Sequence, residues 1–337
     1  NIRDRLIVGH FDAAHLLAPM AIASTLGVGH IKTPFIAPLS LGLGGNAITV
    51  SLPLWRQMER EGARAGDFTP GSGDALRRVI AARERSRYEP LTFGMVYPFS
   101  CHNYELRYWL AAAGIDPERD VRLVVIPPPF LADALRTGQI DGFCVGEPWN
   151  SVAVEAGVGA IVTPTTALWP RSPEKVLGLR LEWAQRYPQQ LAALLRAVYR
   201  AAQWVEAPGN HTEVARLLAE PRYVGVSSGL LRRALANRLA LLPGAEPVAV
   251  EDFFVAARHA ATFPWTSHAL WIYSQMVRWG QLEAAAGHLD AVRSSYRPDL
   301  YRSALARLDG DIPETDLKIE HFFDGGYFDP HALSDRS

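Results

Sequence analysis

The 337-residue sequence is short of several things, and each shortage closes off a class of protein. It has only two cysteines, Cys101 and Cys144, so no disulfide framework staples it, and cysteine usage leaves the compartment open. No apolar run approaches the roughly 20 residues of a membrane-spanning helix. Neither sign of charge is in excess: 34 Lys and Arg stand against 35 Asp and Glu, for a net charge of −1. With no basic stripe, nothing in the charge pattern points to nucleic acid. The opening "NIRDRLIVGHFD" has no Met and no signal-peptide n-region, and reads as the inside of a domain.

What is present is ordinary globular composition, 48% hydrophobic and 20% charged, in a chain long enough for two lobes around a sizeable core. Two stretches resemble one another. In "RDRLIVGHFDAAHLLAP", from Arg3, the residues Leu6, Gly9, Asp12 and Pro19 recur 129 positions later as Leu135, Gly138, Asp141 and Pro148 in "ADALRTGQIDGFCVGEP". Both read as a helix end, a capping Gly, a turn Asp and a short buried strand. Against chance recurrence of a common unit, the single offset favours two related α/β lobes.

Between them, residues 59–90 read as a surface excursion, polar and Gly-rich and then a basic helix. From "LTFGMVYP" (91–98) onward strands and helices alternate. The helix "CHNYELRYWLAAAG" ends at Gly114, "RDVRLVVIPPP" is a strand, "FLADALRTG" a helix, and "QIDGFCVGEP" and "GAIVTPT" supply two more strands. That alternation predicts a parallel, doubly wound sheet. After Pro170 the chain turns helical, with Pro188 opening the longer helix of residues 182–208. Trp265, Trp271, Tyr273 and Trp279 read as core rather than as a cofactor box. The tail "HFFDGGYFDP" (321–330) suits packing across a surface.

Ligands of open α/β sheets bind outside the carboxyl ends of strands, and several candidates fall there. In "YPFSCHNYE" a helix starts with free N–H groups, Ser100 or Asn103 can cap it, and His102 lies in its first turn. The plain alternative is a capped helix with a solvated His. In "CVGEPWN", Gly146 admits close backbone approach to a ligand, or Glu147 and Trp149 merely hold a turn. Lys175 in "PRSPEKVLGLRLEW" precedes a strand-like run and reads alone as a surface lysine. Asn46, after Gly44 and Gly45, either donates into a cleft or satisfies a turn. All these groups donate hydrogen bonds, so together they suit a small anion, whose burial needs several converging donors. Nitrate, planar with three acceptor oxygens and no proton, fits such a pocket; a carboxylate in contact does not. Cys101 beside His102 leaves open an enzyme with an activated thiolate, although adjacent helix residues do not face each other.

The segments "FDAAHLLAPM", "GNAITVS", "RYWLAAAGIDPERDVRLVVIPPP", "IDGFCVGEPWN", "SPEKVLGLRLEWAQRYP", "SHALWIYSQMVRWG" and "DIPETDLKIEHFFDGGYFDP" carry a resemblance across nearly the whole chain. The sequence is similar to the nitrate- and bicarbonate-binding solute receptors of ABC-type importers. It is similar also to the nitrate sensor that acts through an antiterminator partner. The resemblance implies an α/β, two-lobed periplasmic-binding-protein fold of type II, with doubly wound sheets, a hinge and an interlobe ligand cleft. Lobe 1 is expected from residues 1–91 and 168–337, and lobe 2 from 92–167. The implied function is binding of nitrate or nitrite, signalled by lobe closure, without enzymatic activity, cofactor or metal. The family's nitrate-contacting positions fall on Asn46, His102, Gly146 and Lys175. Lys175 stands where the calcium-using bicarbonate receptor has Glu, which argues for nitrate or nitrite over bicarbonate. Two departures stand out: Asn46 replaces a Gln, and the family's tryptophan that walls the pocket would precede Asn1. "FDAAHLLAPM" leans toward a cytoplasmic sensor; the alternative is an importer component, periplasmic or membrane-tethered, working with an ABC permease.

Overall fold

A computed structural model describes residues 2–28, 32–308, 310 and 312–333. Its strands are β1 (Ala13–Leu17), β2 (Phe35–Ser40), β3 (Leu43–Gly44), β4 (Asn46–Ser51), β5 (Leu91–Met95), β6 (Val121–Val125), β7 (Gly142–Gly146), β8 (Gly159–Pro164) and β9 (Lys175–Arg180), followed by short pairs toward the C-terminus. They build two sheets of consequence. The first has the order β1-β9-β2, with both neighbours antiparallel to β9. The second has the order β6-β5-β7-β4-β8. Strands β4 and β8 are buried along their whole length, as expected of strands covered on both faces, which is why their sequences run apolar instead of alternating.

The second sheet is mixed, where the strand–helix alternation predicted a parallel one. Strand β5 runs parallel to β6 and β7, each reached through a crossover helix. Strand β4 runs antiparallel to both β7 and β8. The alternation reports only locally connected strands. β4 arrives from the other sheet, so its direction is set by where the chain crosses. The pairing also places residues 46–51 with the sheet of residues 91–164, whereas the expected division put 1–91 with the other lobe.

The chain passes between the sheets at residues 41–46 and again at 165–174. A short strand, Phe254–Val255, pairs with β3 beside the first passage. Gly44, at φ 68°, is required there: a Cβ would come within 2.4 Å of the Phe253 carbonyl oxygen. The two passages are tied together where Gly44 N donates to Ser172 O at 2.9 Å and Thr165 Oγ1 donates to Asn46 O at 3.3 Å.

Outside the sheets, Pro188 opens the 19-residue helix Pro188–Glu206. That helix buries Leu191, Leu195 and Tyr199 at four-residue spacing, in one cluster with Tyr301 and Leu305. Trp271 and Tyr273 are core residues, with Trp279 packed at the margin of the same cluster and Trp265 at the margin of its neighbour. The aromatic tail lies across the surface: Phe323 N donates to Leu168 O, Phe322 meets Trp169 edge to face and lies tilted against Tyr108, and Glu320 accepts from Trp169 Nε1 at 3.0 Å.

Candidate functional site

Local structure aims each group. After β5, the helix Cys101–Ala112 begins at Ser100, whose Oγ accepts from Asn103 N at 3.2 Å. Ser100 is therefore the cap. Asn103 instead donates to Pro98 O and accepts from Arg107 Nε, bracing the turn and the helix. His102 sits in the first turn and is buried, and Glu105, three residues on, shares its face. In the five-stranded sheet the last residue of β7, Gly146, lies opposite the first of β4, Asn46. A Cβ on Gly146 would stand 3.3 Å from Asn46 Oδ1 and 4.0 Å from His102 Nε2. In the three-stranded sheet Lys175 opens β9 opposite Leu17, the last residue of β1. Asn46, His102, Gly146 and Lys175, far apart in sequence, thus meet where the two passages join the sheets.

What they meet around is the carboxylate of Glu174. His102 Nε2 lies 3.1 Å from Glu174 Oε1. Lys175 Nζ donates to the same oxygen. Asn46 Nδ2 donates to Glu174 Oε2 at 3.4 Å and, more closely, to Glu105 Oε2 at 2.8 Å. Ser172 Oγ completes Glu105 with a 2.7 Å bond to its Oε1. Lys175 keeps 28% of its side chain open while Glu174 keeps 6%, so the ammonium is the charged group of the pair that faces solvent.

Burial dominates the electrostatics. It pulls the His102 imidazole down to about 4, against the attraction of Glu174. At neutral pH His102 therefore donates as the uncharged tautomer with its proton on Nε2, the form its contact with a carboxylate requires. Burial opposes the charge on Glu174 as well, but the facing His102 and Lys175 more than offset it and hold that carboxyl below its ordinary value. Glu105 has only neutral donors. Burial, then the nearby Glu174 charge, push it up to about 7.

Glu105 and Glu174 were missed in the sequence reading, which treated a carboxylate as foreign to this pocket. Two signals for them stood in the sequence: the i, i+3 spacing of His102 and Glu105, and the position of Glu174 directly before Lys175. The enzyme alternative loses its premise here. Cys101 is buried, its Sγ faces the Glu174 backbone oxygen at 3.7 Å, and burial followed by the charges of Glu174 and Glu105 pushes its thiol well above the ordinary value. A thiol so placed is not activated.

Residues 1–219 match the NMT1-like family. Among curated proteins, the chain is 34% identical over 332 residues to the nitrate import ATP-binding protein NrtC of Synechocystis sp., covering 98% of this chain and 47% of that protein. It thus spans about half the length of that relative. It is 33% identical over 331 residues to the nitrate/nitrite binding protein NrtA of Synechococcus elongatus, covering 96% of this chain and 72% of the relative. Among solved structures, the crystal structure of the periplasmic nitrate-binding protein NrtA from Synechocystis superposes with a TM-score of 0.87 at 29% identity, covering 98% of this chain and 85% of that one. The two sheets joined by crossing passages are those of a two-lobed periplasmic-binding-protein fold of type II. The chain belongs to the NMT1-like family, within the nitrate- and bicarbonate-binding solute receptors.

Proposed function

We propose that this chain binds nitrate or nitrite between its two sheets, through Asn46, His102, Gly146 and Lys175, and acts as the solute-binding part of an ABC-type importer. One observation carries the reading: donors from three separate segments converge on one planar carboxylate, that of Glu174. A carboxylate and a nitrate share planar geometry and acceptor-only oxygens, so the arrangement suits either. Lys175 supplies the full positive charge, His102 and Asn46 supply neutral donors, and Gly146 leaves room for an anion against the backbone. Closure of the lobes on the anion would follow from contacts made in both sheets, since only such differential contacts shift the equilibrium toward the closed form.

The similar proteins named above are described by nitrate import or nitrate binding, which supports an importer role and the periplasmic or membrane-tethered location over a cytoplasmic one. An ABC permease is the partner that fits this role. A sensor with an antiterminator partner has less behind it, chiefly the "FDAAHLLAPM" segment. Calorimetric titration with nitrate, nitrite and bicarbonate, the last with and without calcium, tests the proposal. Saturable binding of nitrate or nitrite without metal is the expected result. Heat only with bicarbonate and calcium, or none with any of these anions, overturns it.

A further inference from the structure

We propose that the carboxylate pair Glu105–Glu174 couples anion binding at this site to the uptake of one proton, which Glu105 receives. The inference rests on the anion-binding reading above and adds a specific proton stoichiometry to it. Its starting point is geometric. Two buried carboxylates share a single amide donor, Asn46 Nδ2, at 2.8 and 3.4 Å, and their side chains are almost closed to solvent. Their partners differ. Glu174 faces His102 and Lys175, whereas Glu105 has Ser172 and Asn46, both neutral.

Lys175 has ammonium donors to spare, but His102 and Asn46 can turn to an anion only by giving up the bonds that they now make to Glu174 and Glu105. Three negative groups would then share a buried space with one full cation, Lys175. Burying like charges without matching partners is strongly unfavourable, and protonating one of them is the ordinary relief. Glu105 is the group placed to accept, because it lacks a cationic partner and already sits at about 7. The proton comes from solvent and ends on a Glu105 carboxyl oxygen. As an O–H donor, the protonated Glu105 turns from a competitor for the Asn46 amide into a possible donor to its surroundings.

The other titratable groups around the pair do not serve as well. On the same helix, His102 is held neutral by burial, and the Cys101 thiol is held protonated. On β7, the buried Cys144 thiol is likewise held protonated, by burial first and then by the charges of Glu105 and Glu174. On β9, Lys175 is the cation already counted. On β1, His15 is shifted down by burial and by Lys175. Glu147, one residue past Gly146, turns to Ser151 N and feels Arg233 rather than this cluster.

The test is titration of the whole chain with sodium nitrate by calorimetry, in cationic buffers of different ionisation enthalpy (bis-tris, imidazole, tris), from pH 5 to pH 9. Proton uptake near zero at pH 5 should rise toward one per bound nitrate at about pH 8. Affinity should be level at acid pH and fall toward tenfold per pH unit above about pH 7, as proton linkage requires. In Glu105→Gln, nitrate affinity should no longer depend on pH and the buffer dependence of the heat should vanish. Binding by the wild-type chain with no proton uptake and no pH dependence overturns the inference and leaves the anion-binding reading standing. Uptake that persists in Glu105→Gln also overturns it, by moving the proton to another group such as His102. Absence of nitrate binding at every pH removes the reading and the inference together.

Discussion

The segments 2–17 and 131–146 are two copies of one local design put to different uses. Each runs from a six-residue helix, Ile2–Ile7 or Leu131–Arg136, through a left-handed glycine, Gly9 at φ 76° or Gly138 at φ 70°, into a five-residue strand, β1 or β7. Element for element, the copies lie 129 residues apart, the same offset that relates their sequences. Each strand then ends opposite the first residue of an antiparallel partner, Leu17 against Lys175 and Gly146 against Asn46. Equivalent corners of the two sheets thus frame one site. The corners differ in chemistry. The three-stranded sheet brings charge, with Lys175 and its neighbour Glu174. The five-stranded sheet brings a bare backbone and a neutral amide, with His102 added from the helix that follows β5. A shared local design sets where the corners are, and the residues at the strand ends set their chemistry.

The comparison breaks most decisively at Lys175. Replacing it by Glu adds a third carboxylate to the Glu105–Glu174 pair and removes the positive charge contributed by one sheet. Truncating one partner of a buried charged contact costs about 2–5 kcal/mol, so nitrate affinity measured by calorimetry should fall at least about thirtyfold. Unchanged affinity would take the three-stranded sheet out of the site. The opposite corner is tested by Gly146→Ala. Its Cβ would crowd Asn46 Oδ1 at 3.3 Å, and the cost of overpacking, about 1–3 kcal/mol, predicts roughly a tenfold loss of affinity with the fold intact by circular dichroism. Affinity equal to that of the parent would mean that the backbone at Gly146 is not approached.

The smallest effects test whether the two units are structurally equivalent. Gly9→Ala and Gly138→Ala each place a Cβ at positive φ, which should lower stability by about 1 kcal/mol in denaturant unfolding. Nothing lies within 4 Å of a Cβ at Gly138, and at Gly9 the nearest atom is the flexible Arg180 guanidinium at 3.4 Å. Backbone strain therefore dominates in both, and the losses should be similar. A neutral Gly9→Ala would show that only the second unit depends on its left-handed turn.

Much of this architecture was legible in the sequence. Lys175 read alone as a surface lysine and was singled out by the resemblance, but the recurrence at one offset marked the two units, Ser100 or Asn103 the start of the His102 helix, Pro188 the start of the long helix, and the end of β7 Gly146. Those signals act within a few residues: a cap satisfies free N–H groups one turn away, and a glycine sets its own φ. Two features were not legible in the same way. The antiparallel entry of β4 into the second sheet depends on a chain crossing, which no local periodicity records. The convergence on Glu174 depends on bonds between Asn46 and the two carboxylates across 59 and 128 positions.

The sequence by itself determined the helices and strands, their caps and turns, and a set of hydrogen-bond donors at strand ends. It did so because propensity, periodicity and turn geometry are properties of short stretches. Only the tertiary structure decided that β4 runs against its neighbours, that Asn46 faces Gly146, and that Glu105 and Glu174 sit in the middle of the donors. Burial raises the energy of every unmatched charge and polar group. The partners that satisfy Glu174 therefore come together only when both sheets and both passages are in place.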